Sequence, residues 1–182
     1  MRWLVLGSSP DAPAHLERVG EVDASITTNR GGLLIQPTHY FLSDHVACEM
    51  FHELSGELQA KGAKLVTLDR LPTAIRKRGI EHFDEFVVNT FPYEPASLSG
   101  LWCLEYAIRN GATCVVMAGM QGYAGAESYF TGSGSMCEER RSKSTEYVRE
   151  LTQILVDKYP AVRFDCFGPI HYSIRGDNWR TL

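Results

Sequence analysis

No apolar stretch among these 182 residues approaches the roughly 20 needed to cross a bilayer. The run Trp3-Leu4-Val5-Leu6 stops at Gly7-Ser8-Ser9-Pro10, too short for a signal peptide. No membrane span is expected, and cytoplasmic residence is. Positive charge is also scarce: 18 Lys and Arg stand against 22 Asp and Glu, a net charge of −4, which argues against broad attraction to nucleic acid. The clusters Arg76-Lys77-Arg78 and Arg140-Arg141-Ser142-Lys143 read as solvated surface or as local phosphate contacts. Cysteine is limited to Cys48, Cys103, Cys114, Cys137 and Cys166, odd in number and without a C-x-x-C pair. That excludes a disulfide framework and a paired-thiol metal site, and suits buried, reduced thiols.

Several motifs are missing as well. The chain has no G-x-G-x-x-G dinucleotide fingerprint and no G-x-x-x-x-G-K-[ST] phosphate loop, so hydride transfer and nucleotide hydrolysis lose their usual support. It has no G-x-S-x-G elbow for serine hydrolysis. His39 and His45 have no partner at metal-ligand spacing, so no metal site is expected.

What is present reads as α/β. Hydrophobic residues at 44% and charged ones at 22% are ordinary for a folded domain, and this length suffices for one domain with its own core. Apolar runs at 3–6, 24–28, 40–44, 64–68, 86–88, 114–118 and 162–167 read as strands. Helices are expected over 14–19, 45–61, about 97–110 and 138–159, the last with Tyr147, Leu151, Ile154 and Leu155 on one face. Gly62 and Gly111 are placed to stop two of them. The alternation predicts a Rossmann-like, mostly parallel sheet with helices on both faces, in a single domain ending in a polar tail.

In such a sheet ligands bind beyond the carboxyl ends of the strands, which points to particular loops. Gly7-Ser8-Ser9 follows the first strand, as a phosphate-contacting turn or an ordinary one. Thr28-Asn29-Arg30-Gly31-Gly32 follows the second, with groups suited to a sugar, a base edge or a phosphate, or merely to a turn. Asp44 follows the third, to contact a substrate hydroxyl or to cap a helix. Ser99-Gly100 opens a helix whose free N–H groups favour an anion. Gly119-Met120-Gln121 leaves a further strand, Gln121 carrying paired donors and acceptors. His171, after the last strand, can act as a general base near neutral pH or be structural.

Together LVLGSSP, ITTNRGG, YFLSD and SLSGLWCLEYAIRNGATCVVMAGMQGY resemble, in order, Rossmann-like transferases: the bacterial sialyltransferases that use CMP-sialic acid and the 6-hydroxymethylpterin diphosphokinase-like proteins. The resemblance covers about the first two thirds of the chain. It implies a nucleotide held by Gly7, Ser8, Ser9, Asn29, Ser99 and Gly100, with His171 as base; the loop reading adds Gly119 and Gln121 to the nucleotide site and Asp44 to the catalytic one. It departs at Gln121, where an acidic residue is common in that family. A nucleotide-sugar-dependent glycosyltransferase is the leading expectation, with the donor as substrate and no cofactor required. Alternatives are an ATP-dependent diphosphokinase, whose Mg²⁺ Asp44 would help to hold, and a nucleoside hydrolase or ribosyltransferase using Glu105, otherwise expected on the surface. A non-catalytic nucleotide-binding module is the last.

Overall fold

The apolar runs assemble into one sheet of eight strands. The computed structural model describes residues 1–69, 80, 82–87, 99–120, 138–168 and 172–182, with the backbone alone at 138–144. The strands are β1 (Arg2–Leu6), β2 (Ala24–Thr28), β3 (His39–Leu42), β4 (Lys64–Leu68), β5 (Glu85–Val87), β6 (Cys114–Ala118), β7 (Arg163–Cys166) and β8 (Trp179–Thr181). They lie in the order β5-β4-β3-β2-β1-β6-β7-β8, and every pairing is parallel. A parallel sheet covered on both faces calls for strands apolar on both sides, which is why β6, buried along its whole length, reads Cys-Val-Val-Met-Ala.

The helices are α1 (Ala12–Leu16), α2 (His45–Met50), α3 (His52–Ala60), α4 (Ser99–Arg109) and α5 (Glu138–Lys158). Two cover one face. Leu101, Trp102, Leu104 and Ile108 of α4 and Leu151 and Leu155 of α5 pack on Val5, Ile26, Phe41, Val66, Val115 and Met117. On the other face α1 packs on Leu4, Leu6 and Val116, and α2 and α3 pack on Tyr40, Leu42 and Leu65. Each such fully buried chain contributes roughly 1.5–3 kcal/mol relative to exposure. Gly62 and Gly111 end α3 and α4 at φ +97° and +88°, and Ala63 and Ala112 turn their N–H groups back to Leu58 and Ala107. Among the described residues no helix is long and apolar enough to cross a membrane.

Several expectations needed correction. The helix over 45–61 is two, because Phe51 leaves helical geometry at φ −113°, ψ 21°. The first helix starts earlier, with a proline in its first turn where the missing N–H costs nothing. On α5 the buried stripe is Val148, Leu151, Thr152, Leu155 and Val156, whereas Tyr147 and Ile154 flank it and are 49% and 36% exposed. The polar tail carries β8. Trp179 stacks on Phe164, and the Asn178 side chain donates to the carbonyls of Val156, Tyr159 and Val162. Cys48, Cys103, Cys114 and Cys166 are buried free thiols, as expected, and burial pushes Cys48 and Cys166 up to about 12.

Candidate functional site

The chain lays down β1 to β5 in one direction and then returns to place β6 on the other side of β1. After β1 the chain goes to α1 on one face and after β6 to α5 on the other, which makes this the switch point at which open α/β sheets form a ligand crevice. The loop after β1 is pinned to the end of β6. Gly7 donates its N–H to the Ala118 carbonyl at 2.8 Å, and Ser9 donates to the Gly119 carbonyl at 3.2 Å. A Cβ on Gly7 would lie 2.2 Å from the Gly119 carbonyl oxygen, so the glycine is required by loop packing, whatever a ligand needs. Two amides of the Gly7-Ser8-Ser9 turn are thus already occupied, and both serines are half-buried.

Gly119 has φ +66°, a conformation glycine adopts at no steric cost. Its N–H donates to Nδ1 of His15 at 3.1 Å. His15 is 3% exposed, stacks on Phe167 and hydrogen-bonds the Gly168 backbone, and burial lowers its pKa. Met120 reaches the other way. A Cβ on Gly100 would lie 2.8 Å from the Met120 Cε, and the Met120 carbonyl accepts from the Tyr172 hydroxyl at 2.9 Å.

The next wall is the end of β2. Thr27 donates to the Leu6 carbonyl, and Asn29 turns the chain at φ +51° into a short 3₁₀ turn over 29–33. The Tyr40 hydroxyl donates to the Asn29 carbonyl at 2.8 Å, and burial raises the Tyr40 pKa, so it stays a neutral donor. Thr28 shares the face of Ile26, the face covered by α4, because side chains alternate along a strand. Among the described residues, its hydroxyl and the Asn29 Oδ1 are buried with no hydrogen-bond partner. Buried polar atoms are normally satisfied, so two adjacent atoms without a partner among the described residues mark a place where a ligand can bind.

Asp44 caps α2, accepting the Ala47 N–H on Oδ1 at 2.8 Å. Ser43 donates to its other oxygen at 3.1 Å, and Ser43 Oγ lies 2.7 Å from Ser99 Oγ at the start of α4. Both Asp44 oxygens are therefore engaged, and the carboxylate orients a serine pair bridging β3 and α4. Among the described residues no group of three or more His, Cys, Asp or Glu could hold a metal.

The structure therefore brings Gly7, Ser8, Ser9, Asn29, Asp44, Ser99, Gly100 and Gly119 to one edge of the sheet, where their loops follow the carboxyl ends of β1, β2, β3 and β6 and the start of α4. Gln121 and His171 lie outside the described residues. Glu105 is not on the surface: it is 1% exposed, and its Oε1 accepts from Arg109, Lys158 and Tyr159 at 3.2, 2.9 and 3.1 Å. Lys158 ends α5 just before β7, so this cluster lies toward the strands' amino ends, away from the crevice. Sequence reasoning named the Thr28 hydroxyl within its loop but missed Ser43 and His15. The alternation of β2 puts Thr28 on the face of Ile26, whereas Gly119, the partner of His15, lies 104 residues on and leaves no local signal.

No family model matches the chain, and no curated protein matches its sequence. Two solved structures resemble it. One is the MAf glycosyltransferase of Magnetospirillum magneticum AMB-1, with a TM-score of 0.64 and 13% identity over 100% of this chain and 33% of that one. The chain thus spans about a third of that protein. The other is the sialyltransferase CstII of Campylobacter jejuni, in complex with a substrate analogue, cytidine-5'-monophosphate, with a TM-score of 0.60 and 13% identity over 91% of this chain and 79% of that one. The likeness is one of fold: the chain carries a glycosyltransferase-like, Rossmann-like sheet.

Proposed function

We propose that this protein is a glycosyltransferase using a nucleotide-activated sugar, bound in the crevice between β1, β2 and the start of α4. The observation that carries the reading is the pair of buried oxygens, Thr28 Oγ1 and Asn29 Oδ1, without a partner among the described residues, beyond the carboxyl end of β2 in a glycosyltransferase-like fold. Hydroxyl or amino groups of a nucleotide supply the donors these acceptors lack. The fold is shared with a sialyltransferase solved with cytidine monophosphate, which agrees with a nucleotide in this position.

In this mechanism an acceptor hydroxyl attacks the anomeric carbon of the sugar and the bond from that carbon to the phosphate oxygen breaks. The electron pair leaves with the nucleotide, and the acceptor proton passes to His171. The leaving phosphate gains negative charge, and the free N–H groups at the start of α4 beside Ser99 and Gly100 stabilise it. Gln121 reads the base or sugar. Asp44 contributes by holding Ser43 and Ser99, since both its oxygens are occupied. The ATP-dependent diphosphokinase alternative gains no support from either structural neighbour.

Thermal unfolding with single nucleotides tests the reading. Protection by CMP or UDP without Mg²⁺ is expected, at about 2.7 kcal/mol when the ligand is at 100 times its Kd. Protection by ATP only, dependent on Mg²⁺, overturns it in favour of the diphosphokinase.

A further inference from the structure

The buried His15 plays no part in the reaction just described. Nδ1 accepts the Gly119 N–H, so the proton of the neutral ring sits on Nε2, and the ring also interacts with the Gly168 backbone. The ring thus ties α1 to the end of β6 and the end of β7. Its hold on Gly119 matters because that residue is a junction. The Gly119 carbonyl receives the Ser9 N–H, its α-carbon packs against Gly7 and Ala12, and Met120 beyond it meets Gly100 at the start of α4. A protonated ring carries hydrogen on both nitrogens and would set an N–H against the N–H of Gly119.

We propose that neutral His15 is a positioning residue that fixes the Gly119 peptide, so that protonating it loosens the crevice and weakens nucleotide binding. This rests on the nucleotide reading above. The charged groups facing the ring are Asp11, just before α1, which favours protonation, and Arg18, just after α1, which opposes it. The Arg18 guanidinium lies 4.9 Å from the centre of the Phe167 ring on which His15 stacks. From β6 and β7 the ring meets backbone and the Phe167 ring. Burial outweighs Asp11 and holds the ring neutral at pH 7.

The test measures CMP and UDP affinity by calorimetry from pH 7.5 to 5.0 in the native protein, His15→Asn and His15→Ala. In parallel, nitrogen-15 NMR follows the His15 ring and the Gly119 amide without nucleotide. Asparagine places an acceptor oxygen where Nδ1 stands but cannot take up a proton in this range. The ratio of native to His15→Asn affinity cancels the nucleotide phosphate's own titration near pH 6. That ratio is expected to fall about tenfold at the acid end, the change one pKa unit represents. His15→Ala should bind weakly at every pH, and the free ring should be the Nε2–H tautomer, with the Gly119 amide shifting as it titrates. A constant ratio overturns the proposal, as does a ring protonated on Nδ1 at neutral pH or a Gly119 amide indifferent to its titration. If neither nucleotide binds at pH 7.5, the nucleotide reading fails, and the two NMR observations still decide whether His15 governs Gly119. They also decide it if the variants do not fold.

Discussion

Gly7→Ala separates two reasons for a glycine in the first turn. If the residue serves only the approach of a ligand, alanine should leave the empty protein unchanged. The structure predicts a large loss without any ligand. The added Cβ would lie 2.2 Å from the Gly119 carbonyl oxygen and 2.9 Å from its carbon. An ordinary carbon to oxygen contact is about 3.3 Å, so something must move by about 1 Å. Neither side yields easily, because Gly7 is bonded to Ala118 and the Gly119 carbonyl is held by Ser9. Overpacking typically costs about 1–3 kcal/mol, and a clash of backbone on backbone belongs at the upper end. For a domain of this size about 3 kcal/mol lowers Tm by roughly 6–12 °C. Gly111→Ala is the control. It adds a Cβ to open space at φ +88°, so only backbone strain of about 1–2 kcal/mol applies. Urea unfolding followed by circular dichroism, with unchanged m values, gives both numbers. A Gly7→Ala loss below about 0.5 kcal/mol, or one no larger than that of Gly111→Ala, refutes the packing argument.

Glu105→Ala should destabilise by about 2 kcal/mol, less than a wholly buried pair because Lys158 and Arg109 are 42% and 38% exposed and can turn to water. Nucleotide affinity should be unchanged, since the cluster lies away from the crevice; loss of turnover in Glu105→Gln with stability intact would instead revive Glu105 as a catalytic group. Stability should also fall on mild acidification. Burial lowers the pKa of both His15 and His39, so the unfolded chain binds more protons. Their contribution is complete above the unfolded value of about 6.5 and is lost as pH falls below it toward the depressed folded values. Burial opposes ionisation of Glu85, but hydrogen bonds from Lys64 and Tyr106 hold it below the usual range, so it acts only at lower pH. A urea midpoint flat between pH 7.5 and 5 would contradict this.

Where a signal was local, the sequence carried it. The uninterrupted apolar runs of β1 and β6 could only be strands buried on both faces, and Gly62 and Gly111 stop their helices in the left-handed conformation expected of them. Asn29 likewise takes a left-handed angle and Asp44 caps α2, both as their side-chain chemistry suggests. What could not be read was tertiary. β8 has three residues, two of them polar, and exists because β7 offers a free edge and Phe164 a surface for Trp179. The apolar pattern runs on from α2 into α3 and hides the break at Phe51. In the site, the Ser43 and Ser99 pairing spans 56 positions, so no spacing rule could have joined them.

The two outermost strands share a property that concerns the protein's company more than its chemistry. β5 and β8 are three residues each, and they carry Glu85 and Arg180. A long, flat, uncharged border would offer a row of unpaired backbone groups onto which another chain could add itself. Here each border offers little more than one pleat beside a charge. Among the described residues, both borders of the sheet are thus poor templates for a further strand.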